Sequence, residues 1–226
     1  MPWKAEEADP EWPFELMATD FLLKPETTTL LSIDMHESDM KRDLNSPMGE
    51  RSPGLIEYWN ERMEQTVLPN TCRLLEFFRE RQLKIAYTRN GHVTSTGAEV
   101  AARLKKKLKT PLCARHSGDN DIDPRLAPRE EDLVVDKLTS GAFTSTFLDH
   151  ALRNMGITAV IVTGIVTDMC VFGTARTAAE LGYDSLICED ACVAFSARSH
   201  NEALLMHARR FGRVAGTEEV IEELSR

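Results

Sequence analysis

Apolar positions along this chain alternate between two spacings. Short runs at 29–33, 83–87, 133–135, 159–162, 184–188 and 211–214 have the length of strands. The run Ala159-Val160-Ile161-Val162 reads as a strand buried on both faces. Between these runs, apolar residues recur every three or four positions. Leu68, Cys72, Leu75 and Phe78 make one stripe, and Val100, Leu104 and Leu108 a second. Phe147, Ala151, Leu152 and Met155 make a third, closed by Gly156. Cys170, Val171, Thr174, Ala175, Ala178 and Leu181 make a fourth, with Gly182 as its stop. Ser199-x-x-Glu202 is a capping-box signature that predicts a helix through Arg210, and Thr217 is expected to cap a last one.

Strands alternating with helices at this spacing predict a doubly wound α/β fold: a mostly parallel six-stranded sheet with helices on both faces. Right-handed crossovers then bring the C-terminal ends of the strands to one edge, where open sheets of this kind bind ligands. Residues 28–226 are expected to form a single domain. Residues 1–27 read as an N-terminal arm whose Trp3, Trp12 and prolines favour docking on a neighbouring surface, such as another subunit. Residues 35–60 and 110–129 lack a period and are expected to be long loops that shape a pocket.

Composition narrows the function classes. The chain has 226 residues, 42% of them hydrophobic and 28% charged, as in an ordinary globular domain. A net charge of −9 disfavours nucleic acid as a partner. Lys105-Lys106-Lys107 reads as the solvated side of a helix. No apolar run approaches the ~20 residues of a membrane span, so no membrane partner is expected. The five cysteines, at 72, 113, 170, 188 and 192, have neither zinc spacing nor a secreted framework, and a reducing, cytoplasmic setting is the default expectation.

Three residues carry candidate chemistry. Asp34 ends the first strand, Lys137 follows the third, and Cys170 opens the helix after the central strand. Free amides and the positive dipole end at a helix start favour a thiolate, and the same amides could hold an oxyanion. Lys137 would stabilise that thiolate; Asp34 would accept the thiol proton and return it to a leaving amine. Taken singly, Asp34 also reads as a loop cap and Cys170 as a buried structural cysteine.

Over roughly residues 28–224 the sequence resembles the isochorismatase-like cysteine hydrolase family. The matching segments are LLSIDM with Asp34, VVDKLTSGAFTST with Lys137, and VTGIVTDMCV with Cys170. The resemblance implies an isochorismatase-like, three-layer Rossmann-like fold and a triad of Asp34, Lys137 and Cys170. It also implies a cis peptide between Ile165 and Val166, with the Val166 and Cys170 amides as an oxyanion hole. Asn90, Phe143 and Ile165 are the expected substrate-binding positions. Family members commonly assemble as dimers or tetramers, so a homodimer or homotetramer is expected.

Departures from the family narrow the activity. The isochorismate-cleaving branch lacks the cysteine, so Cys170 implies an amidase. Nicotinamidases carry an Asp-x-His metal motif after the second strand; here that segment is Thr88-Arg89-Asn90-Gly91-His92, so no metal and no cofactor are expected. Asn90 matches ureide-cleaving members. The expected reaction is therefore cleavage of a C–N bond in a small amide or ureide (carbamoyl) substrate through a thioester. A metal-independent nicotinamidase-like amidase and a non-catalytic binding subunit are the alternatives. His36 stands where the family usually has glutamine, and Asp34-x-His36 as a metal pair lacks further ligands at sensible spacing.

Overall fold

The structure, a computed structural model of the chain, describes residues 3–102, 118 and 120–226. Its six described strands are β1 (Thr28–Ile33), β2 (Lys84–Asn90), β3 (Leu133–Lys137), β4 (Ala159–Ile165), β5 (Asp184–Val193) and β6 (Arg213–Ala215). They form one sheet in the order β3-β2-β1-β4-β5-β6, with all adjacent pairs parallel. The chain leaves β1 in one direction and returns to β4 on its other side, so the switch point lies between the two central strands. Every residue of β1 and β4 is buried.

Strand alternation divides the core between the two faces of the sheet. Leu30 and Ile161 join Trp59, Leu74 and Phe78 on one face. Leu31, Ile33, Val160 and Val162 join Leu152, Ala175 and Leu204 on the other. The described helices are, in chain order, α1 (Ala5–Ala8), α2 (Phe14–Met17), α3 (Glu37–Met40), α4 (Pro47–Arg51), α5 (Pro53–Arg62), α6 (Leu68–Glu80), α7 (Leu148–Asn154), α8 (Phe172–Glu180), α9 (Ala197–Arg210) and α10 (Thr217–Leu224).

Residues 35–60 are not the loop that their polar composition suggested. The Ser46 side chain accepts from the Gly49 N–H and opens α4, and Pro53 occupies the first turn of α5. A π-helical turn, Met63–Val67, continues α5 into α6. Ile56, Trp59, Met63 and Val67, spaced by three and four, are all buried. Charged residues such as Glu57, Glu61, Arg62 and Glu64 separate its members and mask the period in the sequence.

Other element ends also differ. β2, β4 and β5 run on to Asn90, Ile165 and Val193, because hydrogen bonding between strands extends past the apolar runs. Gly164 makes the close passage of β4 beside β1 possible: its φ is 106°, and a Cβ there would lie 2.2 Å from the Ile33 carbonyl oxygen. Ser196, not Ser199, caps α9 by accepting the Ser199 N–H, while Glu202 pairs with Arg198. Gly216 precedes α10 and donates to Glu219; Thr217 instead donates its N–H and hydroxyl to Asp190 Oδ1. Phe147, expected on the buried face of α7, sits at its N-terminal cap and is 56% exposed. Leu104, Leu108, Cys113 and Lys105-Lys106-Lys107, with residues 110–117 and 119 of the expected 110–129 loop, lie outside the described residues.

The arm makes contacts with its own chain. Trp3 Nε1 donates to Asn201 Oδ1 at 3.2 Å, Lys4 pairs with Glu219 at 2.8 Å, and Asp9 pairs with Arg209. These partners belong to α9 and α10, which present complementary charges to it. No described helix is long and apolar enough to cross a membrane.

Because Trp59 is fully buried, it anchors the 35–62 region to the core. Trp59→Ala is expected to lower the unfolding free energy by about 3–5 kcal/mol. Denaturant titration of the folded variant measures it, and a change below about 1 kcal/mol would refute the anchoring role.

Candidate active site

Asp34 follows β1 immediately, with its backbone in the left-handed region at φ 52°. Aspartate tolerates that region better than most side chains. Its N–H donates to the Thr88 carbonyl at 3.1 Å, and its Oδ1 accepts from the Thr88 hydroxyl at 2.8 Å. Both bonds tie the carboxylate to β2. Oδ2 is left facing the last residue of β3: Lys137 Nζ is 2.7 Å away.

Lys137 is fully buried. A buried ammonium is tolerated only when paired and hydrogen-bonded. Besides Asp34, its Nζ donates to the carbonyls of Thr139 at 2.9 Å and Ser140 at 3.0 Å. The turn after β3 thus folds back to satisfy the charge. The same Nζ is 3.5 Å from Cys170 Sγ. One ammonium therefore touches both the carboxylate and the thiol, and three strand ends meet at a single point.

Cys170 lies in a π-helical turn, Thr167–Val171, which leads into α8. Val166 caps this turn, with its carbonyl accepting from Met169 N–H at 2.9 Å and Val171 N–H at 3.2 Å. The Ile165–Val166 peptide is cis. The thiol is 9% exposed and forms part of the core. Burial pushes its pKa up to about 12; the Asp34 carboxylate pushes the same way, and Lys137 opposes them. Desolvation therefore works against the thiolate expected from the helix start and the lysine, and favours a thiol whose proton a base removes.

His36 is buried beneath this edge. Its Nε2 accepts the Asn90 N–H at 3.2 Å, so the proton resides on Nδ1, which faces Asp39 Oδ2 at 3.2 Å. Both ring nitrogens are thus engaged by protein groups. Among the described residues no group of three or more His, Cys, Asp and Glu side chains could hold a metal. Asn90 pairs in register with Lys137, so it stands at the same edge as the lysine. Ile165 ends β4 with its side chain in the core. Phe143 is also buried, with its ring 5.7 Å from that of Tyr183, a setting that fits packing beneath the site.

Behind the nucleophile turn lies a network that sequence reasoning missed. His200 Nδ1 meets the Thr167 hydroxyl at 2.9 Å, and its Nε2 meets Arg62 Nη2 at 3.0 Å. Arg62 in turn donates to the Cys192 and Glu189 carbonyls and to the Glu189 carboxylate. Burial lowers the His200 pKa, which keeps the ring neutral beside the arginine. Residues 62, 167, 189 and 200 share no local spacing, so only the fold assembles them.

Comparison with known proteins places this geometry. The Isochorismatase domain family matches residues 28–219. YwoC of Bacillus subtilis (strain 168), an uncharacterized isochorismatase family protein, is 32% identical over 163 residues, covering 70% of this chain and 83% of YwoC. The ureidoacrylate amidohydrolase RutB of Klebsiella pneumoniae (strain 342) is 34% identical over 124 residues, 54% of this chain and 52% of RutB. A cysteine hydrolase from Pseudomonas syringae pv. phaseolicola 1448A superposes with a TM-score of 0.75 at 26% identity, covering 92% of this chain and 97% of the other.

If Cys170 rests as a thiol, its alkylation by iodoacetamide should accelerate with pH. About tenfold per pH unit is expected between pH 6 and 9, since the thiolate fraction grows tenfold per unit below the pKa. Peptide mass spectrometry isolates Cys170 from the other thiols. A rate already at plateau near pH 7 would show a stable thiolate instead.

Proposed function

This chain belongs to the isochorismatase family, and from that premise we propose that it is a cysteine-dependent hydrolase of a small amide or ureide C–N bond. One observation carries the reading: a buried Lys137 ammonium lies 2.7 Å from Asp34 Oδ2 and 3.5 Å from Cys170 Sγ. A purely structural ion pair has no need of a thiol at its side.

In the proposed reaction, Cys170 Sγ attacks the substrate carbonyl carbon while Asp34 Oδ2 takes the thiol proton. Asp34 suits this task, because Oδ1 is held by Thr88 whereas Oδ2 is paired with the same Lys137 ammonium that lies beside the thiol. Lys137 stays protonated and offsets the charge passing between sulfur and carboxylate. The Val166 and Cys170 amides receive the oxyanion. The C–N bond then breaks, and the proton moves from Asp34 to the departing nitrogen as ammonia or an amine. Water next attacks the thioester carbonyl, gives a proton to Asp34, and the C–S bond breaks. That proton returns to sulfur and restores the thiol. An amide yields a carboxylic acid by this route, and a ureide yields a carbamate.

The ureidoacrylate amidohydrolase activity for which RutB is named supports the ureide branch for a chain that matches half of it at 34% identity. Asn90 at the strand edge suits the polar carbamoyl end, since an amide side chain both donates and accepts.

Two measurements test the reading. Ammonia release is screened over ureides, carbamoyl amino acids and aromatic amides, and then repeated with Cys170→Ala. The variant is expected to lose at least about 10³-fold in kcat, as removal of a nucleophile does. Full activity in the folded variant would refute the assignment. Dialysis against a strong chelator is expected to leave turnover within about twofold, because both nitrogens of His36 are already bonded. Loss of activity that returns with added zinc or iron would reverse that expectation.

A further inference from the structure

The triad accounts for bond cleavage, but the buried network behind the nucleophile turn takes no part in it. Thr167 opens that turn, directly after Val166, and is fully buried. Its hydroxyl lies 2.9 Å from His200 Nδ1, and among the described residues this is the hydrogen bond that the side chain makes. His200 is itself 3% exposed and sits in the first turn of α9. The Ser196 carbonyl accepts the His200 N–H at 3.1 Å, and the Ser196 hydroxyl caps the helix, so the ring projects from a fixed backbone.

The partners of the ring assign its proton. An arginine only donates, so Arg62 Nη2 at 3.0 Å makes His200 Nε2 an acceptor. The proton therefore lies on Nδ1 and is donated to Thr167 Oγ1. Three charged groups act on the ring: Arg62 from α5, Glu189 from β5 and Asp168 from the nucleophile turn. The Glu189 carboxylate is 3.2 Å from Arg62 and 3.7 Å from the ring, so it stays with the arginine. Arg62 also donates to the Cys192 and Glu189 carbonyls, and Cys192 pairs with Gly164 of β4. A chain of hydrogen bonds thus runs from β5, through Arg62 and His200, to the residue that opens the nucleophile turn. Packing alone does not call for this arrangement, since a leucine would fill the space without burying two ring nitrogens.

We propose that His200 is a positioning residue: its bond to the Thr167 hydroxyl holds the nucleophile turn, and with it the Cys170 thiol, in place against Lys137 and Asp34. This rests on the reading of Cys170 as nucleophile in the preceding subsection. Thr167 and Cys170 belong to the same five-residue turn, so freedom gained at one end is passed to the sulfur. A misplacement of about 1 Å at a reacting group can cost roughly 10²-fold in rate.

Two readouts test the assignment, and the first needs no substrate. Hydrogen exchange with mass spectrometry compares wild type with His200→Leu, His200→Gln and Thr167→Val. In the Leu and Val variants, the peptide carrying the Met169 and Val171 amides is expected to exchange at least about tenfold faster, with β1 peptides within about twofold of wild type. A glutamine can donate to Thr167 and accept from Arg62, so His200→Gln is expected to restore most of the protection. Exchange that is unaltered in the turn, or accelerated equally throughout the fold, overturns the proposal.

The second readout is ammonia release from the ureide or amide that the screen finds fastest. His200→Leu and Thr167→Val are each expected to lose about 10- to 100-fold in kcat with KM within about threefold, because the turn carries the reacting sulfur. In the double variant the loss is expected to stay within about twofold of the larger single loss, since both changes remove one contact. Losses that multiply, or that fall on KM, overturn the proposal. Thr167→Val is nearly isosteric and decides the outcome should His200→Leu fail to fold. Enzyme that cleaves no amide or ureide defeats the hydrolase reading, whereas unaltered exchange in the turn defeats this inference alone.

Discussion

The buried contact between Lys137 and Asp34 is the constraint around which the site is built. Neither group can sit dry without the other; removing one partner of such a pair typically costs about 3–5 kcal/mol. Their 2.7 Å approach pins the end of β3 to the end of β1, although β2 lies between those strands in the sheet. Three further features follow from the need to satisfy these charges. The turn after Lys137 curls back so that the Thr139 and Ser140 carbonyls reach the ammonium. Asp34 adopts a left-handed backbone, and Thr88 on β2 supplies a hydroxyl to its second oxygen.

Placed in this environment, Cys170 gains its character from competing effects. The lysine favours the thiolate, whereas burial and the carboxylate favour the thiol and prevail. A thiol beside a carboxylate is poised for coupled proton transfer and attack. It is also less prone to adventitious oxidation than a standing thiolate would be. The surrounding polar residues then serve geometry. His36 braces the Asn90 backbone, and His200 joins the Thr167 hydroxyl at the start of the nucleophile turn to Arg62 on α5. The 35–62 segment is therefore tied through His36 and Arg62 to the strand ends that carry the site.

Much of the fold could be read from the chain. Apolar runs such as Ala159-Val160-Ile161-Val162 and stripes such as Leu68, Leu75 and Phe78 report burial directly, and burial is what strands and helices of this size are selected by. Element ends were harder, because they are decided by hydrogen bonds rather than by hydrophobicity. Ladder bonds carry β5 on to Val193 through the charged Glu189 and Asp190, and the cap of α9 passes from Ser199 to Ser196. In residues 35–62, four buried positions at helical spacing were hidden among charges that face other partners.

The sequence alone determined which chemistry was available: an acid, a cation and a thiol at the ends of three separate strands, and no Asp-x-His motif in the segment after Tyr87. It determined this because periodicity and topology are local or nearly local properties. Tertiary structure decided how those groups behave. The protonation of Cys170 depends on how much water its neighbours exclude, and the tautomer of His36 on a backbone amide 54 residues away. The stacking of Trp59 on Phe195, with Arg42 against both rings, joins α5 to the segment beyond β5. These are properties of distance and dielectric between residues far apart in the chain, and no spacing along it encodes them.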